Sequence, residues 1–293
     1  MGLFDAASRV WDRLTESDSA WTMIAASVGV GVGLTAVEAY LSRGRVAQYI
    51  ENTFRRHNPD MSQGDAREVV RGTSTRVVAL AHHAVQLPVA IALLATDKTF
   101  WDHPFSHATP LSKCFMVSVA GYFLHDTWIC WRDIQYDGVQ MFLHGALAAM
   151  LYVGGVATSA WHFWGMVFFT WELSTPFVHL RWALHRAGQK RTPLYRRNGV
   201  ALIVAFFLVR IVWGLYASAY FWRESALSLR GEVENPAGPA LTQVARSFNV
   251  LLCGLNLYWF QKMIRIAAAT FLGGAAQKDI DQVNQGLSEK TEE

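Results

Sequence analysis

Seven stretches of this chain each come close to the roughly 20 apolar residues that a bilayer needs from a crossing helix, and this limits the fold more than any other feature. They cover about 20–41, 76–96, 112–131, 139–158, 161–180, 199–222 and 247–268. Hydrocarbon offers no water to unpaired backbone groups, so segments like these must satisfy themselves as helices. The expected fold is all-α: a polytopic membrane helical bundle of about seven transmembrane helices. Composition agrees. Of 293 residues, 52% are hydrophobic and only 17% are charged, too few charges to coat two soluble domains.

The fourth and fifth stretches are almost continuous. Gly154-Gly155 and Ala157-Thr158-Ser159-Ala160 offer the only tight turn between them. Trp21, Trp101, Trp131, Trp161, Trp182 and Trp222 fall at proposed span ends, where amphipathic rings suit the membrane interface. Residues 1–19 carry apolar residues at helical spacing (Leu3, Ala7, Val10, Trp11, Leu14) and are too acidic for a mitochondrial presequence. An interfacial helix is expected there. The reading divides the chain into 1–19, a first span with a polar cytosolic loop over 20–74, the main bundle over 75–272, and a flexible polar tail over 273–293.

Basic residues set the expected orientation. One side holds Arg9, Arg13, Lys98, Lys113, Arg223, Arg230 and Arg246; the other holds eighteen, mostly in 43–76 and in "RWALHRAGQKRTPLYRR" at 181–197. By the positive-inside rule the N-terminus is lumenal and the C-terminus cytosolic. Basic residues flank apolar runs rather than forming a nucleic-acid motif, so no nucleic-acid partner is expected. The isolated Cys114, Cys130 and Cys253 suggest buried thiols without disulfides.

The ionisable residues inside these stretches need an explanation, since one costs roughly 2.5–3.5 kcal/mol at mid-span on insertion scales. Asp126 lies about six residues before the turn "RDIQYD" and His144 about six after it, so at ~1.5 Å per residue both sit ~9 Å deep at one level. The hairpin can bring carboxylate and imidazole together. His82, His83, His125, Glu172 and His179 fall in the same half of the bilayer. Arg210 is mid-span and needs an acid, with Glu172 or Asp126 the natural candidates. The expectation is one internal polar cluster opening to the cytosol, with His144 and Asp126 as the candidate catalytic pair and the remainder lining a headgroup cavity. In "WELSTPFVHLRWAL" (171–184), Pro176 removes a backbone donor and kinks the helix, and Ser174 and Thr175 can satisfy freed carbonyls.

Other motifs lead elsewhere. "WDHPFSH" spaces His103 and His107 like a metal pair, but Pro104 interrupts the helix, so no metal site is expected. There is no GxSxG, P-loop or GxGxxG, and no cofactor is expected. "GVGVG" at 29–33 suits close helix packing.

Taken together, "YFLHD", "DGVQMFLHG", "WELSTPFVHLRWAL" and "STRVVALAHHAVQLPVA" (74–90) resemble the TLC-domain family, which includes ceramide synthases and translocating-chain-associated proteins. The likeness covers about 70–270 and is nearest to the small uncharacterised members with an ELSTPF signature. It implies a helical bundle, usually of the endoplasmic reticulum, linked to lipid synthesis, sensing or transport. Ceramide synthases carry a double His where this chain has His144-Gly145, and an HDxxD-type segment where it has "WELST". Both departures argue against N-acylation of a sphingoid base. Three functions follow as expectations: lipid binding, sensing or transport in lipid homeostasis; a membrane acyltransferase using His144, Asp126 and acyl-CoA; and a structural subunit with membrane-protein partners.

Overall fold

The computed structural model describes residues 19–272, with side chains through 269. The interfacial helix and polar tail expected at the two ends lie outside the described residues.

Among the described residues, ten α-helices of eight residues or more carry the architecture: α1 (Ala20–Leu41), α2 (Gly44–Arg55), α3 (Gln63–Thr96), α4 (Pro110–Arg132), α5 (Val139–Thr158), α6 (His162–Phe169), α7 (Thr175–Arg186), α8 (Pro193–Phe206), α9 (Gly214–Leu229) and α10 (Gly238–Leu272). A 3₁₀ segment, Thr170–Ser174, joins α6 to α7, and a π-helical segment, Phe207–Trp213, joins α8 to α9. Among the described residues, Ala20–Leu41, Gln63–Thr96, Val139–Thr158 and Pro193–Leu229 are long and apolar enough to cross a membrane. Helices α4 and α10 and the broken pair α6–α7 complete the bundle.

The surface pattern is that of a protein solvated by lipid. On α1, Met23, Ser27, Gly31 and Glu38 are buried along one stripe, while Val28, Val32 and Val37 face outward. Small and polar groups point in and aliphatic ones out, as expected where the solvent is as apolar as the core. Helix α4 is central, packing on α1, α3, α5 and α6.

Glycine decides how close α1 comes to α4. A Cβ on Gly121 would lie 2.5 Å from the Ser27 carbonyl oxygen, and one on Gly31 would lie 2.9 Å from the Gly121 carbonyl oxygen. Gly29 and Gly33 have nothing within 4 Å, so only the central glycine of "GVGVG" works in packing. Gly121→Val is expected to cost about 1–3 kcal/mol or more through overpacking. Gly29→Ala and Gly33→Ala should be neutral or gain helix propensity. Thermal unfolding midpoints of the three variants in detergent check this.

The polar stretch after α1 is largely helical rather than a loop. Helix α2 fills 44–55, and α3 begins at Gln63, thirteen residues before the expected span start, capped by Ser62, whose Oγ accepts from the Asp65 N–H at 3.1 Å. At ~1.5 Å per residue, α3 is about 50 Å long, well beyond a ~30 Å hydrocarbon core. Its first turns reach into the basic end of the bundle. There Arg132 pairs with Glu38 (3.2 Å) and Asp133 (2.8 Å), Arg71 with Asp133 (3.2 Å), and Arg186 with Glu68. Glu38 therefore belongs to this rim network.

At the other end, α5 stops at Thr158 and the chain turns through Ser159 (φ 50°) and Trp161 (φ 65°). Left-handed backbone is uncommon for such residues. Trp161 is held there by its N–H to the Phe105 carbonyl (3.0 Å) and its indole N–H to Asn235 (3.2 Å). It is 5% exposed, and so closes the bundle from within instead of marking the interface.

Candidate functional site

The polar centre is built from two irregular segments facing each other. Pro176 has no N–H, and the preceding turns tighten to 3₁₀, so the Thr175 N–H goes to the Glu172 carbonyl. The Trp171 carbonyl also takes side-chain donors. Ser174 Oγ donates to it at 3.1 Å and Arg210 Nε at 3.1 Å. Opposite, the chain widens into a π-helix centred on Arg210, a distortion that recurs at functional sites. Arg210 is 7% exposed and well satisfied: beyond Trp171 it donates to Ser174 Oγ (3.0 Å), Asn256 Oδ1 (3.3 Å), Glu172 Oε1 (3.3 Å) and Thr175 Oγ1 (3.3 Å). Glu172 is thus Arg210's carboxylate, and Thr175 donates to its second oxygen. Multiple charge-assisted bonds let a buried ion pair persist in hydrocarbon.

His144 Nε2 stands 4.0 Å from Glu172 Oε1, and its ring packs edge-on against Trp259 and Phe123. Asp126 is elsewhere. The hairpin does bring it level with His144, but its Oδ2 would lie 2.9 Å from a Cβ on Gly145. No hydrogen bond or ion pair joins Asp126 to His144 among the described residues. One residue's rotation about α5 separates the two: Gly145 faces α4, while His144 faces the bundle's interior. The same contact explains why a second histidine at 145 has no room.

The other histidines do not share one site. His125 accepts from or donates to Thr35 at 2.9 Å and belongs to the α1–α4 seam, not to the central cluster. His82 stacks on Tyr122 (4.5 Å between centroids) with Nε2 3.2 Å from Ser118 Oγ. Adjacent His83 also points inward, against Tyr122 and Phe169, and neither ring nitrogen has a partner among the described residues. His179, with Arg76, His83 and Glu172 as its ionisable surroundings, likewise has both ring nitrogens unpartnered. In the short loop at the opposite end, His107 bonds Asp97 at 3.0 Å while His103 takes no part. The His107 and Thr99 hydrogen bonds hold the Asp97 carboxyl below its usual range.

Above the Glu172–His144 pair lies a narrow cavity of about 80 Å³. Its walls come from α4 (Phe123), α5 (Ala148, Tyr152), α6 (Trp164, Phe168), α9 (Phe221) and α10 (Ala245, Leu252), and Trp161 closes the far end. Among the described residues, the indole N–H groups of Trp164 and Trp171 have no acceptor. These aromatic walls were missed from sequence. Their only signal was the spacing of Trp161, Trp164, Phe168 and Trp171, which fits an ordinary core stripe equally well.

A family model described as the TLC domain matches residues 73–265, about two thirds of the chain and all of this site. The chain belongs to the TLC-domain family. It is 30% identical over 188 residues to an uncharacterized TLC domain-containing protein of Schizosaccharomyces pombe, covering 64% of this chain and 62% of that protein. It is 34% identical over 203 residues to topoisomerase I damage affected protein 4 of Saccharomyces cerevisiae, covering 67% of each. With TLC domain-containing protein 4-B of Danio rerio it shares 28% over 195 residues, 66% of this chain and 72% of the relative. The chain thus spans a little over three fifths of the fission-yeast relative. Membership and the apolar helices together make this TLC-domain chain an integral membrane protein.

Proposed function

We propose that this TLC-domain protein binds a membrane lipid for homeostasis, sensing or transport. An acyl chain lies in the aromatic cavity, and its polar end meets His144 and Glu172. The observation that carries the reading is the cavity itself: apolar along its length, with an imidazole and an arginine-anchored carboxylate at one end. Ligand sites of this kind combine apolar walls with a few placed polar groups. The free indole donors of Trp164 and Trp171 are suited to ester or amide oxygens. We place the protein in the endoplasmic reticulum with a lumenal N-terminus and cytosolic C-terminus, on the basic-residue asymmetry and the family's usual membrane.

A second reading, acyl transfer from acyl-CoA, is favoured by one contact. His144 lies 4.0 Å from a carboxylate within the cavity, where it could serve as a general base. That carboxylate is already bonded to Arg210 and Thr175, which leaves it little freedom to orient the imidazole. The test is lipid analysis of purified protein beside an acyl-transfer assay, with His144→Ala and Asp126→Asn compared. Lipid binding predicts co-purified lipid that falls in His144→Ala, holds in Asp126→Asn, and accompanies no turnover. Turnover lost in His144→Ala identifies the enzyme. Unchanged lipid in both variants removes the site and leaves a structural role within a membrane complex.

A further inference from the structure

A second recess lies at the basic end of the bundle, between α7, α8 and α10, and shares no lining residue with the central cavity. It has a volume of about 170 Å³. Its lip is cationic, with Arg181, Lys190 and Arg196, and its floor is aliphatic, including Val200, Ile203 and Met263. Among the described residues, no acidic residue lines it. None of the three cations pairs with a carboxylate among the described residues, in contrast to Arg71, Arg132 and Arg186 at the same end.

The lip is organised in advance. The Arg181 guanidinium lies 4.2 Å from the centroid of the Tyr195 ring, a cation–π contact that fixes its position. A Cβ on Gly199 would lie 2.8 Å from Arg181 Nη1, so the glycine makes room for the charge over α8. Helix α8 begins at Pro193, and its positive end adds to the same field. Below the lip, Val200 and Val204 on α8 and Leu208 in the π-helical segment after it are about half exposed on the lipid-facing side. Cations at headgroup level above an aliphatic strip have the layout of a phospholipid.

We propose that this recess binds an anionic phospholipid from the adjacent leaflet, its phosphate held by Arg181, Lys190 and Arg196 and one acyl chain lying along α8. Basic pockets between transmembrane helices hold phosphorylated headgroups in this manner.

The test uses the full chain in detergent, with phosphatidic acid and phosphatidylcholine as probes and retention read by native mass spectrometry. Wild type should prefer phosphatidic acid. Arg181→Gln, Lys190→Gln and Arg196→Gln combined should abolish the preference, at about fivefold per charge removed. Arg191→Gln with Arg197→Gln removes exposed charge from just before α8 and from its first turns, outside the recess, and should leave the preference intact. Gly199→Ala, which displaces the Arg181 guanidinium without removing its charge, should weaken it. Equal retention of the two lipids by wild type overturns the proposal. So does an equal loss in the Arg191/Arg197 variant, which would mean diffuse surface charge. Displacement by soluble inorganic phosphate or coenzyme A overturns it too, since the site would then serve a soluble phosphate.

Discussion

Arg210→Ala is expected to destabilise the protein by about 3–5 kcal/mol, the cost of leaving a buried carboxylate without its partner. The guanidinium satisfies Glu172, the Trp171 carbonyl, Ser174, Thr175 and Asn256 together, so its removal strands acceptors from two helices at once. Arg210→Met combined with Glu172→Gln should recover much of the loss, because no charge is then left unpaired. Unfolding in mixed micelles measures both. A loss under about 1 kcal/mol for Arg210→Ala would rank the contact with ordinary interhelical polar pairs, and the cluster would cease to be an organising feature.

Ala148→Phe is expected to empty the central cavity of lipid. Ala148 lines the cavity wall on α5 and is 6% exposed, so a phenyl ring placed there occupies ligand space. Bound lipid should fall at least about tenfold, the change that 1.4 kcal/mol represents. Stability should change by no more than about 1–3 kcal/mol, since the ring enters a space that is not filled. Val32→Phe, on the outward face of α1, supplies the same bulk outside both proposed lipid sites and should leave lipid content unchanged. Extracted lipid per mole of protein, measured beside the melting midpoint, separates loss of ligand from loss of fold.

Much of this was legible in the sequence because hydrocarbon is so demanding a solvent. Apolar length alone marked the long helices, and the cost of an isolated cation required an acid near Arg210, which proved to be Glu172. Depth was readable too: counting from the turn placed Asp126 and His144 level. Rotation was not. A step of one residue turns a helix by about 100°, and which of His144 and Gly145 faces α4 depends on packing that apolar length does not encode. The α3 extension escaped for a related reason. Its first turns, "QGDAREVVRG", are polar because they leave the hydrocarbon, and polarity alone does not distinguish a solvated helix from a loop. The 3₁₀ segment was foreshadowed by Pro176, whereas nothing in "FLVRIVW" signals a π-helix. The split among the histidines, with His125 bonded to Thr35 and His83 and His179 left unpartnered inside, likewise emerges only once the helix faces are known.

The account turns on whether a lipid occupies the aromatic cavity above Glu172 and His144. The most direct measurement is photo-crosslinking of the membrane-embedded protein with a diazirine-bearing fatty acyl phospholipid, followed by peptide mapping. Adducts on Ala148–Tyr152, Trp164–Phe168 and Ala245–Leu252 at their cavity-facing positions are the predicted result. Adducts confined to outward residues such as Val28, Val32 and Val37, with none inside the bundle, would contradict it.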